Sequence, residues 1–291
     1  MHKTRLKLYT GGCSFLARAY DNEEQNAGRS EVSKYKYTAN QNAGLSFPAF
    51  LSAKLNAELV NDARPGHSNK YIIRKFYDFL YNKPQKEKAV AILGLTELAR
   101  HEIPILKTNK YHHITPSDYH FNTGRYENYI EKYAPVPVLG NVLDHYYQFL
   151  YNDHTAITEL VQQLNMLTNY AARRNTDVIV FCSFALTPKA EISGLLYDNL
   201  SSDKNDFRFF NFGQKQNNLC TWVDFILKYA PNHVGGHPLA YDNNVLANMM
   251  VKFFKEGKFK EPLIDPSNYA SGYNYSSTKP NFPKTIKNPI I

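Results

Sequence analysis

Cysteine is scarce in this chain of 291 residues: Cys13, Cys182 and Cys220 are the only three, and no two stand in Cys-x-x-Cys spacing. An odd, dispersed set of thiols argues against a disulfide framework and against a cysteine-based zinc site. No apolar run approaches the length of a membrane span. The opening Met-His-Lys-Thr-Arg leads straight into a strand-like run and offers no signal-peptide core. Blocks of like charge are missing too. The 34 basic and 26 acidic residues leave a net charge of +8, but the lysines are scattered. That distribution describes a solvated basic surface and not a nucleic-acid site, and no recognised nucleic-acid motif is present. A soluble protein of a reducing compartment, without a signal peptide, is the expectation.

What is present is ordinary globular composition, 43% hydrophobic and 21% charged, with an excess of tyrosine, 22 residues in all. Apolar runs that read as strands alternate with stretches of helical period. Leu6 to Tyr9, Glu58 to Asn61, Ala89 to Gly94, Val178 to Phe181 and Phe207 to Phe212 are the expected strands. Ser46 with Pro48 opens a helix. Tyr71 to Leu80 has the 3.6-residue period of another, and Val142 to Arg174 holds one long helix or two shorter ones. Leu219 to Tyr229 around Trp222 and Asp242 to Phe254 complete the set. This alternation predicts an α/β protein with a parallel sheet. Residues 100–140 lack periodicity and read as an irregular insertion or lid over the functional edge. Residues 258–291, rich in Pro, Tyr and Lys, read as an extended tail outside a domain of residues 1–257, suited to docking on a protein partner.

Two stretches carry chemistry. In Leu8-Tyr9-Thr10-Gly11-Gly12-Cys13-Ser14-Phe15 an apolar strand runs into two glycines and a serine. Glycine tolerates the positive φ of a sharp turn, which would stand Ser14 at the C-terminal end of a strand, where open α/β sheets bind ligands. In His233-Val234-Gly235-Gly236-His237-Pro238 a histidine precedes the last helix. A serine hydroxyl needs a base within hydrogen-bond reach, and histidine is the usual one.

These segments, with Asn61 to Asn69 between them, resemble the SGNH (GDSL-like) hydrolases, and the compact bacteriophage forms in particular, over roughly residues 5–254. Gly12-Cys13-Ser14-Phe15 is similar to the family's Gly-Asp-Ser-Phe block, and Gly66 falls on the glycine that lends a backbone N–H to the oxyanion hole. His237-Pro238 is similar to the family's His-Pro. The resemblance implies a three-layer α/β/α sandwich with a flavodoxin-like parallel sheet. It implies an ester hydrolase using Ser14 and His237, with an oxyanion hole drawn from Ser14, Gly66, Thr96 and Asn69. Arg100 is the candidate substrate contact, and neither a metal nor an organic cofactor is implied. The substrate class would be a small ester or an acetylated glycan.

The chain also departs from the pattern. Val234 stands where the family acid belongs, and Thr96 where its asparagine belongs. Asp224, Asp242 or a backbone carbonyl are the open alternatives for the missing acid. These departures sustain a rival reading, a degenerate hydrolase fold serving as a structural or accessory virion protein. Cys13 reads as a small buried residue, and His112, His113 and His120 as exposed loop histidines without metal-ligand spacing. Arg100 and Glu102 are expected to touch substrate or each other.

Overall fold

A computed structural model describes residues 5–17, 44, 46–105, 110–114, 145–183, 190–212, 219–229, 238 and 240–256. In chain order, β1 (Lys7–Gly11) leads into the one-turn helix α1 (Ser14–Ala17), followed by α2 (Phe47–Leu55), β2 (Glu58–Asn61), α3 (Asn69–Asn82) and β3 (Ala89–Leu95). A two-stranded unit, β4 (His101–Ile105) and β5 (Lys110–Ile114), comes next. A π-helical turn (Tyr146–Leu150), α4 (Asp153–Arg173), β6 (Thr176–Cys182), α5 (Ala190–Leu200), β7 (Arg208–Phe209), α6 (Trp222–Tyr229) and α7 (Ala240–Glu256) complete the described elements.

The main sheet has five strands in the order β2-β1-β3-β6-β7, every pairing parallel. β3 lies at its centre and is buried at every residue, which is why Ala89 to Leu95 is an unbroken apolar run and not an alternating one. Side chains on a strand alternate faces, and the two faces build separate cores. Leu8, Val90, Ile92, Ile179 and Phe181 pack under α1, α2, α6 and α7 with Phe47, Trp222 and Met250. Tyr9, Ala91, Leu93, Val178 and Val180 pack under α3, α4 and α5 with Phe76, Leu164 and Leu196. The result is a three-layer α/β/α sandwich with a flavodoxin-like strand order. β1 and β3 are neighbours whose chains leave the sheet in opposite directions, so the crevice beyond their C-terminal ends is the topological switch point.

Local chemistry explains several boundaries. The Ser46 hydroxyl accepts from Ala49 N at 3.4 Å and caps α2 as expected. Of the two alternatives for Val142 to Arg174, one long helix or two shorter ones, the described part is interrupted. Asn152 accepts from Thr155 N at 3.1 Å and starts α4 afresh after the π-helical turn. Thr221 and Asp224 form a reciprocal cap at the head of α6: Thr221 N and Oγ1 donate to Asp224 Oδ2 at 2.9 and 2.8 Å, and Asp224 N donates to Thr221 Oγ1 at 3.2 Å.

Two expectations need correction. Residues 100–140 are not irregular throughout, since β4 and β5 pair antiparallel there, His101 opposite Ile114 and Ile105 opposite Lys110. His112 and His113 therefore sit in a strand, not a loop. The pairing was hidden because this ribbon is polar, short and carries Pro104, which only an unpaired strand edge tolerates. The fifth sheet strand is also shorter than Phe207 to Phe212. Only Arg208–Phe209 ladder with β6, while Phe210 and Phe212 turn into the core around Trp222 and Phe253. The tail 258–291 lies outside the described residues.

Candidate active site at the switch point

β1 is laddered on both sides up to Gly11, which faces Leu93, and the chain then turns sharply into α1. The Cys13 carbonyl accepts from Leu16 N and Ala17 N, both at 3.2 Å, which closes the one-turn helix. Ser14 opens it and is buried but for a small exposed fraction. The glycines before it are not there for positive φ, which among the described glycines belongs to Gly66 alone, at 76°. They are there for space. A Cβ on Gly12 would stand 3.0 Å from Leu16 Cδ1 and 3.3 Å from the Gly94 carbonyl oxygen. A Cβ on Gly94 would stand 2.6 Å from Leu16 Cδ1 and 2.8 Å from Ser183 Oγ. The Ser14 turn is thus packed onto β3, with the Leu16 side chain filling the space that a side chain at either glycine would need.

Cys13 is fully buried, and burial raises its thiol pKa; this is a packing residue, not a nucleophile. Cys182, also fully buried, is pushed up in the same way.

The loop after β2 is tied to this turn at several points. Asp62 N donates to Thr10 O at 2.9 Å and Arg64 N to Gly12 O at 3.0 Å. Asn61 is the clamp. Its Oδ1 accepts from Thr10 Oγ1 at 2.9 Å and from Ala63 N at 3.1 Å, and its Nδ2 donates to Leu16 O at 3.2 Å. Sequence reading placed Asn61 in the right segment without giving it a role; an amide as the last residue of an edge strand was the available signal. Gly66 lies on the exposed part of the loop. Beyond it Ser68 caps α3, its hydroxyl accepting from Tyr71 N at 3.3 Å. Half-buried His67 donates from Nδ1 to Pro65 O at 2.9 Å and packs edge-on against Tyr71, with burial first and then Arg64, Arg74 and Arg100 lowering its pKa.

The third loop follows β3. Asn69 Nδ2 donates to Thr96 O at 2.9 Å and Thr96 N donates back to Asn69 Oδ1 at 2.8 Å, a reciprocal pair joining α3 to the end of β3. One Asn69 amide hydrogen remains beyond this pair. Thr96 is fully buried, its Oγ1 closed off beside the Cys13 sulfur with Ser183, so neither its N–H nor its hydroxyl is presented to the open edge. Arg100 Nε meets Glu97 Oε2 at 3.3 Å, and Glu102 meets Arg74 at 3.0 Å, so Arg100 and Glu102 do not pair with each other.

His237 and Val234 lie outside the described residues. Pro238 is buried and α7 begins two residues later. Of the two carboxylates considered as replacements for the missing acid, Asp224 is held in the α6 cap, while Asp242 is fully buried in the first turn of α7. Among the described residues no group of three or more His, Cys, Asp or Glu side chains is arranged to hold a metal ion. Nor is any described helix long and apolar enough to cross a membrane.

Next to Asn69 a cleft of about 130 Å³ runs between α3 and the first turns of α4. Arg100 and His101 line its inner side, and Tyr146 and Tyr151 lie across it.

No protein-family model and no curated protein matches the chain. Among solved structures the backbone is similar to that of a carbohydrate esterase, at 12% identity over 88% of this chain and 70% of that one, with a TM-score of 0.46. A protein described as a GDSL-like lipase from Parabacteroides merdae shares 15% identity over 86% of this chain and 95% of its own, with a TM-score of 0.41. A family two carbohydrate esterase from Clostridium thermocellum, solved with cellohexaose, shares 13% identity over 87% and 65%, with a TM-score of 0.42.

Proposed function

We propose that this protein is a serine-dependent ester hydrolase of the SGNH type, with Ser14 as nucleophile and His237 as base. One observation carries the reading. Ser14 follows β1 at the C-terminal edge of the sheet, at the switch point with β3, in a turn closely packed at its glycines and tied to the connection that carries Gly66 and leads into Asn69 at the start of α3. In the reaction His237 takes the Ser14 hydroxyl proton as Oγ attacks the ester carbonyl. The C–O bond to the alcohol breaks, and the same proton leaves with the alcohol. Water then repeats the sequence in reverse on the Ser14 acyl ester, releasing the acid and restoring the hydroxyl.

The negative charge on the tetrahedral oxygen is met by backbone N–H groups of Ser14 and Gly66 and by the remaining Asn69 amide hydrogen. Each such donor contributes about 3–4 kcal/mol where it has been removed by mutation. Thr96, given as a donor by position, instead holds Asn69 in place. With Asp224 engaged in its cap, Asp242 or a backbone carbonyl is left to orient His237. A small acetyl or other short acyl ester suits the narrow, half-polar edge.

Covalent labelling by a fluorophosphonate, read by intact mass on the wild type, Ser14→Ala and His237→Ala, tests this reading. One adduct on the wild type, absent from both variants, is expected. Folded protein that takes no label overturns it and favours the rival, a non-catalytic SGNH-type accessory protein whose tail docks on a partner. Val234 in the acid's position is the observation behind that rival.

A further inference from the structure

The cleft between α3 and α4 is large enough for one ring and is lined in a way that the hydrolytic chemistry does not need. Its volume, about 130 Å³, approaches the roughly 150 Å³ that holds a benzene molecule. On the α3 side stand Asn69, Lys70 and Ile73; on the α4 side Thr155, Glu159 and Gln163. The α4 wall offers a hydroxyl, a carboxylate and an amide, and the α3 wall an amide and the Lys70 ammonium beside Ile73, so both walls can bond ligand hydroxyls.

The remaining wall is aromatic. Tyr146 stands edge-on to His101 with ring centroids 4.6 Å apart, and its hydroxyl lies 2.9 Å from His101 Nε2. Tyr151 packs on both rings, and its own hydroxyl donates to Asp153 Oδ1 at 2.7 Å. Tyr147, behind them, donates to Ala99 O at 2.8 Å. The rings are therefore fixed by their own hydroxyls. Such rings offer an apolar face without needing to reorganise on binding. His101 is half-buried and holds a neutral imidazole down to about pH 4, because burial first and Lys70 second disfavour its charged form.

An aromatic wall opposite a row of hydrogen-bonding side chains matches a pyranose. Its axial C–H groups pack on rings and its hydroxyls both donate and accept. A fatty acyl chain would make no use of the Thr155, Glu159 and Gln163 hydrogen-bonding groups along the α4 wall.

We propose that the α3–α4 cleft binds one neutral monosaccharide unit, the alcohol part of the ester whose acyl group meets Ser14. As a substrate subsite it rests on the hydrolase reading above. Asn69, which lines the cleft and is bonded to Thr96 at the Ser14 edge, is the residue common to both places.

The test separates the two readings by measuring binding where catalysis is impossible. Methyl β-xylopyranoside and methyl β-glucopyranoside are titrated into ¹⁵N-labelled Ser14→Ala protein, alongside Gln163→Leu and Tyr146→Ala on the same background. Saturable shifts of the Thr155 and Gln163 signals in the millimolar range are expected, with binding weakened at least fivefold in both variants. Thermal melts confirm that the variants are folded, and Gln163→Leu, on a half-exposed helix face, guards against loss of Tyr146 packing. Absence of saturable shifts, or equal binding by folded Gln163→Leu and Tyr146→Ala, overturns the subsite even when the wild type takes the fluorophosphonate. Glycoside binding by a protein that takes no label upholds the sugar site and overturns only its link to Ser14. Competition by octanoate at lower concentration than the glycosides also overturns the proposal.

Discussion

The two ends of the central sheet are built from the same strands and treated oppositely. At the N-terminal end the polar groups are tied off. Lys83, only 3% exposed, donates to the carbonyls of Pro84 at 3.0 Å and Arg174 at 2.7 Å, and also to that of Glu87. Arg174 returns hydrogen bonds to the carbonyls of Lys83 and Tyr81, the latter at 3.2 Å. Two cations thus close the C-terminal ends of α3 and α4, where the helix dipoles favour positive charge. At the C-terminal end of the sheet the Leu16 side chain fills the space beside Gly12 and Gly94, and the buried hydroxyls of Thr96 and Ser183 meet the Cys13 sulfur. One end ties off its polar groups, and the other packs the Ser14 turn closely against β3. The strand C-termini and the turns that follow them lie at that second end, where open α/β sheets bind ligands.

The sharpest way to break this contrast is to remove the candidate nucleophile. Ser14→Ala should lower ester turnover by about 10⁴-fold or more while leaving the melting temperature nearly unchanged, as checked by esterase assay beside calorimetry. Next comes the shared amide. Asn69→Leu removes both bonds to Thr96 and one oxyanion donor, and should cost about 10²- to 10³-fold in kcat. A loss confined to KM would place Asn69 outside the oxyanion hole.

At the opposite end the balance of effects should invert. Lys83→Met leaves buried carbonyls unpaired and should cost about 2–3 kcal/mol, lowering Tm by roughly 4–12 °C, with fluorophosphonate labelling retained. Gly94→Ala brings a Cβ within 2.6 Å of Leu16 and should do some of both, about 1–3 kcal/mol by denaturant titration and a slower acylation as α1 is displaced. The smallest effect concerns pH. His101 titrates near pH 4 when folded against an ordinary value of 6.5, so between these the unfolded chain binds the additional proton. Its contribution to stability is full above pH 6.5 and lost as pH falls toward 4. His101→Gln should therefore show a shallower fall in urea-midpoint stability over pH 6.5 to 4 than the wild type.

Much of this arrangement is legible in the chain. The apolar run at Ala89 to Leu95 can only be a strand covered on both faces, and the short apolar segments before Gly11 and after Thr176 pair with it on either side. Ser46 announces a helix start by residue type and caps its helix through its side chain, while the caps at Ser68 and Asn152 came to light only with the structure. Ser14 after Gly-Gly-Cys, and Gly66 before Ser-Asn, stand out because so few residue types tolerate such turns. The polar ribbon of β4 and β5, the π-helical turn and the aromatic wall of the cleft were not legible. None of them carries a periodic apolar signal, and each exists through partners distant in sequence.

Local pattern by itself determined the alternation of strands and helices, the parallel sheet and the edge at which chemistry belongs. These follow from covalent sterics and hydrophobic period, which act over a few residues. Tertiary structure alone decided that Gly12 and Gly94 answer to crowding and not to φ, that Thr96 bonds to Asn69, that Asp224 is a cap, and that His101 and Tyr146 share a wall. Those outcomes depend on which distant groups arrive within 4 Å of one another, and no spacing along the chain encodes that distance.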